Sequence, residues 1–130
     1  MTLLDTSVLL DVLLVGAAHG DASEARLAAA LRAGTVVIND IIAAELAPVF
    51  DDERALWGTL ADVEIELVPY PRAAIYLAGH AFRRYRRRGG TRRRILADFM
   101  IGAHAVVEGA ALLTRDRGFY RDYFPKLRLI

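Results

Sequence analysis

The sequence predicts an α/β fold built on a parallel sheet of about five strands. Three observations point to it. Five short apolar segments recur along the 130 residues, helix-forming segments stand between them, and capping residues or breakers fall at the joins. Strands alternating with helices imply parallel pairing, with helices wrapped on both faces of the sheet.

Each element has its own local reason. Thr2-Leu3-Leu4 ending at Asp5 reads as a strand, and Thr6 or Ser7 can cap a helix to about Leu14. Residues 16–20, bounded by glycines, form a loop. Asp21-Ala22-Ser23-Glu24 opens a second helix, which Gly34 stops after Ala33. Thr35-Val36-Val37-Ile38 is a β-branched strand, and Asn39 or Asp40 caps the helix that carries Glu45, with Pro48 near its end. A helix from Asp51 to about Ala61 precedes the strand Glu64 to Val68, closed by Pro69. Pro71 suits the first turn of a long helix that Gly89-Gly90 ends. Ile95 to Glu108 is helical, Ala110 to Thr114 a strand, Gly118 to Tyr123 a short helix and Leu127 to Ile130 a last strand. With no internal repeat, low-complexity tract or linker, residues 1–130 are expected to form one domain.

Composition narrows the chemistry. No cysteine is present, which excludes disulfides, zinc–thiolate sites and cysteine nucleophiles. No stretch approaches the ~20 uninterrupted apolar residues of a membrane span. Asp5 and Asp11 interrupt the apolar start, so no signal peptide is expected, and the protein is expected to be cytoplasmic. The net charge of +1 hides a polarised chain. Residues 1–66 hold 12 acids against 3 bases, and residues 67–130 hold 4 acids against 14 bases. Most of the basic excess is one run of Arg83, Arg84, Arg86, Arg87, Arg88, Arg92, Arg93 and Arg94. A solvated helix end in an arginine-biased protein is one reading. The favoured reading is a phosphate-facing or acid-partner-facing surface, with Arg86, Arg87, Arg88, Arg92, Arg93 and Arg94 as candidate nucleic-acid contacts, because so many adjacent guanidinium groups repel one another unless a partner neutralises them.

Four carboxylates sit beside apolar segments: Asp5, Glu45, Asp98 and Asp116. Asp5 and Asp116 follow strands, and Glu45 and Asp98 fall in the early turns of helices. In open α/β sheets, ligands gather at the carboxyl ends of strands where strand order reverses, so all four can share one crevice. Half-buried carboxylates brought together need a cation, and hard divalent ions such as Mg²⁺ prefer oxygen ligands. A carboxylate-held metal that can meet phosphate oxygens is apparatus for cutting nucleic acid.

Asp5-Thr6-Ser7 after an apolar strand, Glu45 mid-helix, the run from Asp98 to Ala105, and Leu113-Thr114-Arg115-Asp116 before Gly118-Phe119-Tyr120 resemble the PIN-domain nucleases. Within that superfamily the chain is similar to the VapC ribonuclease toxins of toxin–antitoxin pairs. The resemblance covers nearly the whole chain, and the segment from Ile95 to Tyr120 is its most specific part. It implies an α/β/α sandwich, Mg²⁺- or Mn²⁺-dependent endoribonuclease activity, a homodimer, and inhibition by a co-encoded VapB-type antitoxin. Asp5 and Asp98 are then expected to hold the principal ion. Asp116 would complete the coordination, and Glu45 would serve as a ligand or orient the attacking water. Hydrolysis is expected to leave a 5′-phosphate and a 3′-hydroxyl.

Other polar residues divide by position. Thr6, Ser7 and Thr114 either cap their elements or support a carboxylate or a metal-held water. His104 lies six positions after Asp98, about 240° around a helix, and is expected to pack rather than ligate. His19 and His80 have no partner at ligand spacing, Asp11 is expected at the surface, and Asp122 is a weak fifth acid. Gly102 is expected to permit close contact between its helix and the sheet. A phospho-accepting signalling domain would need an aspartate ending the middle strand, where Val68 instead meets Pro69, and a lysine near the last strand; Lys126 is the only lysine. The remaining alternatives are a non-catalytic RNA-binding protein with a structural metal and a housekeeping PIN nuclease without an antitoxin.

Overall fold

The computed structural model describes residues 1–92 and 96–130. Arg93, Arg94 and the start expected for a helix at Ile95 lie outside the described residues.

Among the described residues, four strands form one sheet: β1 (Thr2–Leu4), β2 (Val36–Asn39), β3 (Ile65–Val68) and β4 (Ala111–Leu113). Their order is β3-β2-β1-β4 and every pairing is parallel. Thr2 stands opposite both Val36 and Ala111, so β1 is gripped from each side in one register. β1, β2 and β4 are buried along their whole length, as parallel strands covered on both faces must be, whereas edge strand β3 is mostly exposed.

Among the described residues, seven helices flank the sheet: α1 (Thr6–Leu13), α2 (Gly20–Ala33), α3 (Asp40–Leu46), α4 (Glu53–Asp62), α5 (Arg72–Arg87), α6 (Leu96–Glu108) and α7 (Arg117–Tyr123). Asn39 caps α3, as expected, and Asp52 caps α4. Asn39 Oδ1 accepts from the Ile42 amide at 3.0 Å, and Asp52 Oδ1 from the Ala55 amide at 2.8 Å. Pro48 falls in a 3₁₀ turn, Ala47–Val49, directly after α3. Pro71 precedes α5, and Gly89, with φ of 87°, takes the left-handed conformation that ends it. α5 and α6 form a packed helical hairpin.

Two expectations need correction here. The fifth strand shrinks to an isolated bridge in which Leu129 alone pairs with Leu112. The Arg128 carbonyl and the Ile130 amide bond to Leu112, but no consecutive pairs follow to make a ladder. Gly102 does permit a close approach, though of other side chains and not of the sheet. A Cβ there would lie 2.5 Å from Phe124 Cε2 and 3.1 Å from Tyr120 Cδ1. Among the described residues, no helix is long and apolar enough to cross a membrane.

Candidate active site

Strand order reverses between β1 and β4, and such folds collect ligands at the carboxyl ends of the strands at that point. Asp5 continues β1 by donating its amide to the Leu113 carbonyl at 2.9 Å, then starts α1. Its side chain does not cap that helix. Asp5 Oδ2 instead accepts from Thr114 Oγ1 at 2.6 Å and from Ser7 Oγ at 2.8 Å. Thr114 is fully buried and also accepts the Asp116 amide at 3.0 Å, so one hydroxyl joins the residues after both strands. Asp116 caps α7, with Oδ1 accepting from the Phe119 amide at 3.4 Å. Glu45, exposed on α3, receives a short hydrogen bond from the buried Thr6 hydroxyl. Thr6, Ser7 and Thr114 therefore each donate to one of the four acids.

The electrostatics bind the four acids into one group. Burial raises the Asp5 carboxyl above its usual range and the charge of Asp116 adds to that, while the hydrogen bonds from Thr114, Ser7 and the Thr6 amide offset part of it. Asp98, half-buried in the first turn of α6, is pushed up to about 7, first by burial and then by the charges of Asp5, Glu45 and Asp116. Among the described residues, no three His, Asp or Glu side chains stand close enough together to grip an ion as placed. The donor set nonetheless suits a hard divalent cation: all oxygen, mutually repelling, and open to solvent at Glu45 and Asp116.

The other polar residues divide between expected and unexpected surroundings. Asp11, expected at the surface, is buried: it accepts from Ser23 Oγ at 2.6 Å and pairs with Arg115 Nε at 2.6 Å. Its position one turn beyond Ser7 on α1 was the available signal, and its partners come from α2 and from the segment after β4. Arg26 on α2 reaches the same segment, donating to the Thr114 carbonyl at 3.1 Å. His104 packs, as expected. Its ring is buried, and burial lowers its proton affinity, more than Glu108 and Asp40 raise it. Asn39 Nδ2 lies 3.0 Å from His104 Nδ1, which makes the neutral ring an acceptor and ties the start of α3 to α6. Tyr70 closes that brace with its ring edge toward His104 and its hydroxyl on the Met100 carbonyl at 2.7 Å. His19, His80 and Asp122 are exposed, and His80 stacks on Tyr76.

The arginines lie at the end of α5, and the hairpin brings that end beside the first turn of α6 and its Asp98. Arg86, Arg87, Arg88 and Arg92 are exposed. Arg88 stands over the Tyr123 ring at 5.4 Å and Arg84 donates to the Tyr123 carbonyl at 3.1 Å, which fastens the run to α7.

No curated protein matches the sequence. Among solved structures, a chain of VapBC2 from Rickettsia felis, bound to a DNA fragment from their promoter, superposes with a TM-score of 0.73 at 21% identity, covering 99% of this chain and 96% of that one. VapBC-1 from nontypeable Haemophilus influenzae gives 0.71 at 16% identity, with 99% and 96% covered. DNA-bound VapBC from Salmonella typhimurium gives 0.68 at 23% identity over the same shares. At these identities the likeness is one of fold. The sequence itself matches the PIN-domain model over residues 2–124. With β1, the start of α6 and the β4–α7 turn all inside that match, the chain belongs to the PIN-domain family of nucleases.

Proposed function

We propose that residues 1–130 act as a single PIN domain that cleaves RNA with the help of Mg²⁺ or Mn²⁺, as the cytoplasmic, homodimeric toxin of a VapBC-type pair. The observation that carries this reading is that the charges of Asp5, Glu45 and Asp116 all bear on the half-buried Asp98 near the β1–β4 switch point. Asp5 and Asp98 would hold the ion, with Asp116 and Glu45 completing its surroundings. A bound Mg²⁺ would lower the pKa of water and offset negative charge on the scissile phosphate. The chain's own part is to hold the donors in place. Thr114 and Ser7 fix one Asp5 oxygen. Thr6 turns Glu45 toward the α1 start. Arg86, Arg87, Arg88 and Arg92, beside the Asp98 turn, suit a phosphate backbone entering the crevice; Arg93 and Arg94 are proposed as further contacts from sequence alone.

The solved VapBC neighbours are complexes, which supports an antitoxin partner. A guanidinium or ammonium group from such a partner would pair with the four acids in place of the metal. Inducing the chain alone in bacteria should arrest growth and fragment RNA, and co-expressing the product of a small neighbouring reading frame should restore growth. Cells that tolerate high levels of a protein active on RNA in vitro would end the toxin assignment and leave the nuclease one standing.

The arginine run gives a second test. RNA binding should weaken steeply with salt, and Arg86, Arg87 and Arg88 changed together to Ala should reduce the log–log slope by roughly 0.7 per lost contact. Unchanged slope and affinity would return the run to a solvated helix end.

A further inference from the structure

One buried polar atom is unexplained by the fold. The Tyr120 side chain is almost wholly enclosed, and among the described residues its hydroxyl has no hydrogen-bond partner. A buried hydroxyl without a partner costs about 1–3 kcal/mol, so a phenylalanine would pack here at lower cost. The ring's position is informative. Tyr120 lies one turn after Asp116 on α7, and its ring presses against Gly102, one turn after Asp98 on α6. It is thus wedged between the two turns that carry those acids. Gly102 leaves the space that lets it enter. Burial first, and then the charges of Asp5, Asp98, Asp116 and Glu45, hold the phenol proton on.

The other half of the pair is also present. Asp5 has Thr114 and Ser7 as donors, Glu45 has Thr6 and Asp116 has the Phe119 amide. Among the described residues, no side chain or amide donates to Asp98.

We infer that Tyr120 is a positioning residue of the metal site: neither its hydroxyl nor the Asp98 carboxylate has a partner as placed among the described residues, and a turn of either side chain would let the hydroxyl donate to that carboxylate and set its orientation toward a bound divalent cation. The inference rests on the reading of the four acids as a metal site. Donors behind a metal-ligating carboxylate fix its direction, and losing one typically weakens metal binding by roughly 10–100-fold. Tyr120 does this from the enclosed side of the crevice, leaving the solvent side to substrate.

The test compares wild type, Tyr120→Phe and the control Tyr123→Phe in calorimetric titration with Mn²⁺, with melting curves in EDTA. Tyr120→Phe keeps the ring, so its metal-free melting temperature should equal or exceed that of wild type, while its Mn²⁺ Kd rises by roughly 10-fold or more. Tyr123→Phe should bind as wild type does. Mn²⁺ should also red-shift the near-ultraviolet tyrosine absorption of wild type, a change missing from Tyr120→Phe. Equal Kd values for wild type and Tyr120→Phe, or no tyrosine shift in wild type, would overturn the inference and leave the metal site intact. A wild-type protein that binds no Mn²⁺ would overturn both.

Discussion

Asp98→Asn is expected to abolish RNA cleavage, by more than ~100-fold, while making the metal-free protein more stable. The same mechanism produces both effects. Burial first, and then the charges of Asp5, Glu45 and Asp116, push the half-buried Asp98 carboxyl up to about 7. A folded-state pKa raised above the ordinary carboxylate value of about 4 means that the native state holds this proton more tightly than the unfolded chain does. The stability contributed by this proton is therefore full at low pH and is lost as pH rises through about 7. Asp5 shifts in the same direction. His104, whose proton affinity is lowered, acts in the opposite sense, and its contribution is lost as pH falls. It is common to wild type and variant, so the difference between their melting curves isolates Asp98. That difference should be small near pH 4, widen through pH 7, and close again in wild type on addition of Mg²⁺. Asp5→Asn should lose activity to the same degree, but with a smaller gain in stability, because its carboxylate already accepts bonds from Thr114 and Ser7. A variant that unfolds with loss of Asp98, or that stays folded and active, would contradict this.

The largest stability effect is expected at Gly102. A side chain there meets Phe124 and Tyr120 ring atoms inside a packed corner, with the nearest carbon at 2.5 Å. Any β-branched residue must push α7 away from α6. Gly102→Val should cost about 3 kcal/mol, lowering the melting temperature by roughly 10 °C. Because the displaced rings lie between Asp98 and Asp116, cleavage should fall as well, even at temperatures where the variant is folded. Gly118→Ala, at an exposed position with open space, is the control and should change neither. A Gly102→Val protein as stable as wild type would mean that α7 is not held where it is described.

Local chemistry explains what the sequence made legible. Strands β1, β2 and β4 are short apolar runs, fully buried, and each is followed by a capping or breaking residue; those signals are local and all were readable. The acids at 5 and 116 were placeable for the same reason, since Asp5 follows β1 directly and Asp116 comes in the short turn after β4. Whether Leu127 to Ile130 would pair as a full strand depends on where α7 delivers the chain, which no local pattern encodes, and only Leu129 makes the bridge. Asp11 was misjudged because its burial comes from Ser23 and Arg115, which are brought to it only by folding. The Asn39–His104 brace was half-legible: His104 was expected to pack, but its partner across 65 residues was not. Tyr120 was invisible as a functional candidate, because an aromatic in an amphipathic helix reads as core. Its burial agrees with that reading, and only its unpartnered hydroxyl departs from it.

Incubating purified wild-type protein with total RNA in EDTA, Mg²⁺ and Mn²⁺, and mapping the ends produced, tests the central claim most directly. Cleavage is expected with either metal and not in EDTA, at discrete sites, leaving 5′-phosphate and 3′-hydroxyl ends. Cleavage that proceeds equally in EDTA, or none in any metal from a folded protein, would contradict a carboxylate-held metal nuclease.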